Sequence, residues 1–117
     1  MEREFLIFEN QKKIVKINID DIIAITCEGT CSTVYYTDKL HKFTISKSLV
    51  QIERLLIERQ CLLLRIHRNS IVSLDKIEML DKKNNVITLR GGLELNVSIR
   101  QLPSINKAMK ERKLMIL

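Results

Sequence analysis

Aromatic residues are scarce: the 117 residues include no tryptophan, two tyrosines and three phenylalanines. That speaks against an RNA-binding β-barrel, because such platforms stack bases on exposed rings. Cysteine is also sparse. Cys27, Cys31 and Cys61 are an odd number without a Cys-x-x-Cys pair, which argues against a disulfide framework and for reduced thiols serving as small buried or half-buried residues. Their spacings with His41 and His67 match no zinc pattern, so no metal is expected. No apolar run approaches the roughly 18 residues needed to span a bilayer. The start, Met1-Glu2-Arg3-Glu4, is too charged to open a secretion signal. The expectation is a cytoplasmic protein without a membrane partner. No low-complexity linker or internal repeat is visible, and a chain of this length, 45% hydrophobic, fits one domain with a single core.

Charge is present but unevenly placed. Residues 1 to 64 balance nine Lys/Arg against nine Asp/Glu, whereas residues 65 to 117 hold eleven against five, which accounts for the whole net charge of +6. A basic half facing one way would attract phosphates. Charge alone does not separate that reading from a solvated surface.

Hydrophobic periodicity predicts a mainly β fold with one mid-chain helix and a C-terminal helix. Val15, Ile17 and Ile19 alternate with Lys16 and Asn18, and after Asp20-Asp21 the alternation resumes at Ile23, Ile25 and Cys27. Glu28-Gly29-Thr30 and Thr37-Asp38-Lys39 read as turns between short strands. At Ser48 the period changes: Leu49, Ile52, Leu55 and Leu56 recur at helical spacing, and Ser48 with Gln51 forms a capping-box candidate for a helix ending near Arg59. Leu62 to Ile66 return to a strand, with Ile71-Val72 a short apolar pair beyond it. Ile77 to Leu89 then form a hairpin around Asp81 to Asn85, and Gly91-Gly92 marks a second. Leu102, Ile105 and Met109 define the last helix. Because Pro103 lacks an amide hydrogen, that helix starts at about Leu102 or Pro103, or a tight turn from Ser98 leads into it. Met115-Ile116-Leu117 is an apolar end.

One segment is dense in donors. Arg65-Ile66-His67-Arg68-Asn69-Ser70 places two arginines, a histidine, an asparagine and a serine in six residues. Strand alternation would send Arg65 and His67 to one face and Arg68 to the other, so a phosphate clamp requires the chain to leave strand geometry near Arg68. The planar arginine fork bonds both O6 and N7 of guanine, and Asn69 and Ser70 suit phosphate oxygens or adenine edges. An enzyme built on His67 and Ser70 is not expected, since no Gly-x-Ser-x-Gly elbow, acidic partner or phosphate-cradling glycine loop accompanies them. For His67 the structural alternative is a bond to a neighbouring backbone carbonyl. No cofactor is called for.

Leu64-Arg65-Ile66-His67-Arg68, then Ile71-Val72, Leu74 and Lys76-Ile77, resembles the signature of LytTR-type DNA-binding domains of bacterial transcription regulators. Asp21 to Ile25, the Gly29 turn, Ser48-Leu49 with Ile52-Glu53 and Leu56, the Gly91-Gly92 turn and Leu95-Asn96-Val97-Ser98 follow in the family's order. The resemblance covers about residues 12 to 112, leaving 1 to 11 as a lead-in strand or arm and 113 to 117 as a tail. It implies small antiparallel sheets in an elongated β-fold that docks loops into successive major grooves. Arg68 and Arg100 match the family's base-reading positions, and Thr30 stands in the third reading loop. His67, Asn69, Ser98 and Lys47 are assigned by the same resemblance to phosphates.

Some positions depart from the family pattern. Asn69 stands where serine is usual, Ser73 where asparagine is common, Ile99 where a second basic residue often follows Ser98, and Cys31 where an aromatic is frequent. The phosphoacceptor domain that usually precedes such a domain has no room here, which reads as a free-standing regulator or an excised response-regulator effector domain. The implied partner is promoter DNA, as direct repeats contacted by two copies. The competing class is a protein-interaction module on the same fold that has lost DNA reading.

Overall fold

The computed structural model describes residues 4–56, 62–111 and 116–117. Strands dominate, in three small antiparallel sheets, with two helices. β1 (Phe5–Glu9) and β2 (Ile14–Asn18) form a hairpin. The central sheet has five strands in the order β5-β4-β3-β7-β6: β3 is Ile22–Glu28, β4 Cys31–Tyr36, β5 His41–Ile45, β6 Leu63–His67 and β7 Ser70–Ser73. The third sheet orders β8 (Ile77–Asp81), β9 (Val86–Leu89) and β10 (Glu94–Asn96) as β10-β9-β8.

The central sheet is covered on both faces, so the core is two clusters instead of one. One face packs Ile25, Val34, Phe43, Ile45 and Ile71 against Leu49, Ile52 and Leu56 of α1 (Leu49–Leu56) and against Phe8 and Ile17 of the first hairpin. The other packs Ile23, Ala24, Ile66 and Val72 against Ile87, Leu89 and Val97, with Ile105 of α2 (Leu102–Glu111). Both helices are short, and their apolar stripes hold them to the sheet.

This two-sided burial corrects the simple alternation expected of β3. A register irregularity between Ile22 and Ala24 sends Ile23 and Ala24 to one cluster while Ile22 and Ile25 enter the other. A β-bulge opposes two residues to one, so the period-two pattern breaks inside the strand. Asp20-Asp21 interrupts the strands as a 3-10 turn, Ile19–Asp21, whose first free amide, on Asp20, donates to Asn18 Oδ1 at 3.0 Å. That bond explains why polar Asn18 is buried.

The capping box forms: the Ser48 amide donates to Gln51 Oε1 at 2.8 Å, and the Gln51 amide to Ser48 Oγ at 3.2 Å. Both alternatives at the last helix are realised in sequence, a 3-10 turn at Ile99–Gln101 running into α2 at Leu102. Cys27 is half-buried but Cys31 is exposed, against the expectation of packed thiols. It sits at the first position of β4, opposite Glu28, where neither core reaches. The helix end near Arg59, Cys61 and Met115 lie outside the described residues.

Candidate functional site

Antiparallel pairing puts three connections at one end of the central sheet. Glu28 pairs with Cys31, Ser32 with Ile45 and Thr26 with Ser70, so the β3–β4 turn (Gly29-Thr30), the segment from β5 to α1 (residues 46–48) and the β6–β7 turn (Arg68-Asn69) share an edge. Neighbouring strands lie about 4.8 Å apart, which sets Thr30 and Arg68 roughly 10 Å from each other and Lys47 at the far side of the row. Gly29 takes a φ of +62°, the left-handed conformation that lets β3 reverse into β4 there.

Three hydrogen bonds tie these connections in series. Ser32, fully buried, donates its hydroxyl to the Lys47 carbonyl at 2.6 Å. The Cys27 amide donates to the Asn69 carbonyl at 2.9 Å, linking the Thr30 hairpin to the Arg68 turn. The Ser98 amide donates to the Ile66 carbonyl at 2.9 Å and brings the 3-10 turn that carries Arg100 against β6. The β8–β9 turn joins the same end, since the Val97 amide donates to the Asn85 carbonyl at 2.8 Å.

His67, Arg68, Ser98 and Arg100, with Arg65 and Gln101, line one hollow of about 300 Å³. Arg68 and Arg100 are exposed; His67 and Ser98 are half-buried beside them. The chain leaves strand geometry where a clamp requires it: β6 has a register irregularity between Arg65 and His67, and the turn follows at once. Asn69 and His67 also border a larger polar groove with Thr26, Glu28, Cys31 and Asn96. Thr30 is exposed at its turn tip, and Lys47 faces a separate groove beside β1 and Leu55. The structure therefore brings four of the seven sequence-derived positions into one hollow, sets Asn69 in the neighbouring groove that His67 also borders, and leaves Thr30 and Lys47 along the same edge. Among the described residues the His67 ring bonds no backbone carbonyl; its Nδ1 accepts the Asn69 amide at 3.4 Å.

Nothing in the sequence signals that two further side chains, Arg65 and Glu53, meet at this turn. Arg65 turns its guanidinium back on the turn, with Nε donating to the His67 carbonyl at 2.8 Å and Nη2 to the Arg68 carbonyl at 2.6 Å. Its Nη1 meets Glu53 of α1 at 3.0 Å. Glu53 is twelve residues away, a distance at which spacing carries no signal.

Among the described residues, part of the late basic excess is paired with carboxylates or lies away from this end. Arg65 is paired with Glu53, Lys107 lies 3.8 Å from Glu111, and Arg90 lies 3.9 Å from Asp38 at the opposite end of the fold. At the same end of the fold, Asp81 sits at the start of the turn carrying Lys82 and Lys83. The Asn84 side-chain amide, then the Asn84 backbone amide, hold its carboxyl below the ordinary value. Among the described residues, no helix is long and apolar enough to cross a membrane.

Comparison with known proteins bears on this arrangement. The family model of the LytTr DNA-binding domain matches residues 12–110. Among solved structures, a LytTr DNA-binding domain described as part of a DNA response regulator from Bacillus cereus superposes with a TM-score of 0.72, covering 90% of this chain and 95% of that one at 17% identity. The shared fold is thus established across most of both chains. Among curated protein sequences, none matches.

Proposed function

Since the chain belongs to the LytTR family of DNA-binding domains, we propose that it binds double-stranded DNA sequence-specifically and regulates transcription from bacterial promoters in the cytoplasm. The row of turns at one end of the central sheet is the reading edge, laid along the duplex so that its turns enter successive major grooves. Arg68 and Arg100 read base edges, with Thr30 as a third reader on the neighbouring turn. His67, Asn69, Ser98 and Lys47 contact phosphates, which fix register without carrying sequence information. A second copy occupies an adjacent direct repeat.

The observation that carries this reading is the convergence of Arg68 and Arg100 on one hollow, from turns joined by the Ser98–Ile66 hydrogen bond. Two exposed guanidinium groups repel each other, and an anionic or strongly accepting partner between or across them relieves that repulsion and forms charge-assisted bonds with both. Guanine edges and phosphates are such partners. Arginine also suits the task because its fork is pre-organised, so less side-chain entropy is lost per bond formed.

The test is a binding titration at several salt concentrations, comparing a duplex selected from random sequence with the unselected pool. The expected result is a preference of about a thousandfold or more, with affinity for both falling as salt rises. Equal affinity for the two pools, or binding indifferent to salt, contradicts sequence-specific reading.

A further inference from the structure

Arg65 is the arginine of this segment whose guanidinium turns inward, since three of its five N–H donors, one on each nitrogen, are engaged within the chain. Its guanidinium bonds two consecutive carbonyls of the reading turn and the Glu53 carboxylate. Its side chain is 26% exposed, and Glu53, at 37%, neutralises it from α1. We propose that Arg65 is a positioning residue that holds the Arg68 turn in its reading geometry, with Glu53 as the anchor that links that geometry to α1. This rests on the DNA-reading function proposed above.

The turn needs such a brace. Two-residue hairpin loops normally use turns with a positive φ at the first central residue, because only those match the twist of the flanking strands. Neither Arg68 nor Asn69 has a positive φ, so this hairpin lacks that match. The irregularity between Arg65 and His67 further interrupts the β6–β7 ladder and leaves the carbonyls of His67 and Arg68 within reach of a side-chain donor. Arg65 reaches both from one rigid plane. Lysine at this position keeps the charge but cannot bond two carbonyls and a carboxylate with fixed angles. A misplacement of the turn moves Arg68 relative to the base edge, where bidentate bonding tolerates little displacement.

The experiment measures affinity of four chains, wild type, Arg65→Lys, Arg68→Ala and the double variant, for the wild-type-selected duplex and for random duplex at several salt concentrations. Arg65→Lys is expected to weaken the selected duplex about tenfold, leave random-duplex affinity and salt slope unchanged, and have little further effect once Arg68 is alanine. Glu53→Gln, which keeps a hydrogen-bond acceptor and removes the charge, is expected to produce a smaller loss of the same kind. Unchanged specific binding in Arg65→Lys overturns the proposal, as does a loss that adds fully to that of Arg68→Ala. A loss shared by random duplex with a shallower salt slope makes Arg65 a phosphate contact and overturns it too. If wild type itself shows no preference for any duplex, the function proposed above fails, and this inference with it. Amide spectra of each variant separate a local shift at residues 65–70 from general unfolding.

Discussion

The Ser98 amide donates to the Ile66 carbonyl at 2.9 Å, so the turn presenting Arg100 is bonded to the strand that leads into Arg68. Residues 32 positions apart in sequence are thereby fixed as one unit. The Cys27–Asn69 bond extends that unit to the Thr30 hairpin. The groups proposed to read DNA, borne on three separate connections, keep a common geometry because the backbone, and not the flexible side chains alone, sets their spacing.

Arg68→Ala and Arg100→Ala should each reduce discrimination between selected and random duplex by about 1–3 kcal/mol. Affinity for random duplex should change far less. Fluorescence anisotropy titrations on both duplexes check this, with thermal denaturation confirming that the exposed substitutions leave stability within about 0.5 kcal/mol.

Gly91 and Gly92 look equivalent in sequence but are not. Both have a φ near +88°, yet a Cβ on Gly91 would lie 2.8 Å from the Asp38 carbonyl oxygen and 2.9 Å from Leu40 Cγ, while one on Gly92 meets nothing within 4 Å. Gly92→Ala should cost about 1 kcal/mol of backbone strain. Gly91→Ala should cost about 2 kcal/mol or more, since the β9–β10 loop must also retreat from the 37–40 turn. Urea denaturation ranks them, and because this contact lies away from the reading edge, DNA discrimination of the folded fraction should be unaltered.

Thr88 carries a buried hydroxyl oxygen without a hydrogen-bond partner. Replacing it by the near-isosteric valine removes an unsatisfied polar group and keeps the β-branched shape. Thr88→Val is therefore expected to hold or raise the midpoint of thermal unfolding, by up to about 5 °C for a gain near 1 kcal/mol. A clear fall would show that the hydroxyl has a partner.

Asp81 gives a pH signature. Its folded carboxyl titrates below its ordinary value of 3.8, first through the Asn84 side-chain amide at 2.8 Å. A depressed folded pKa means that its contribution to stability is present above the unfolded value and is lost as pH falls through the folded one. Carboxyl carbon shifts followed by NMR should place the Asp81 midpoint below 3.8, and Asn84→Ala should move it upward.

Local rules made much of this fold legible. The Ser48–Gln51 capping box, the Gly29 turn and the hairpin around Asp81 to Asn85 depend on residues close in sequence, and each formed as read. The β3 bulge was not legible, because every residue from Ile22 to Ile25 is apolar or small and buried, which erases the contrast that reveals register. For the site, the donor-rich segment around Arg68 announced itself, but the Glu53–Arg65 pair did not. That contact exists only once α1 has packed across the sheet. Cys31 shows the converse: its type suggested burial, and its place at a strand start exposed it.

The most direct test of the reading edge is to record amide chemical-shift changes across the chain as the selected duplex is added. The largest changes are expected at residues 29–31, 46–48, 67–70 and 98–101, with little at residues 38–40, 74–76 and 90–92 on the opposite end. Changes concentrated on that opposite end, or along β1 and α1, would contradict the assignment of DNA reading to these turns.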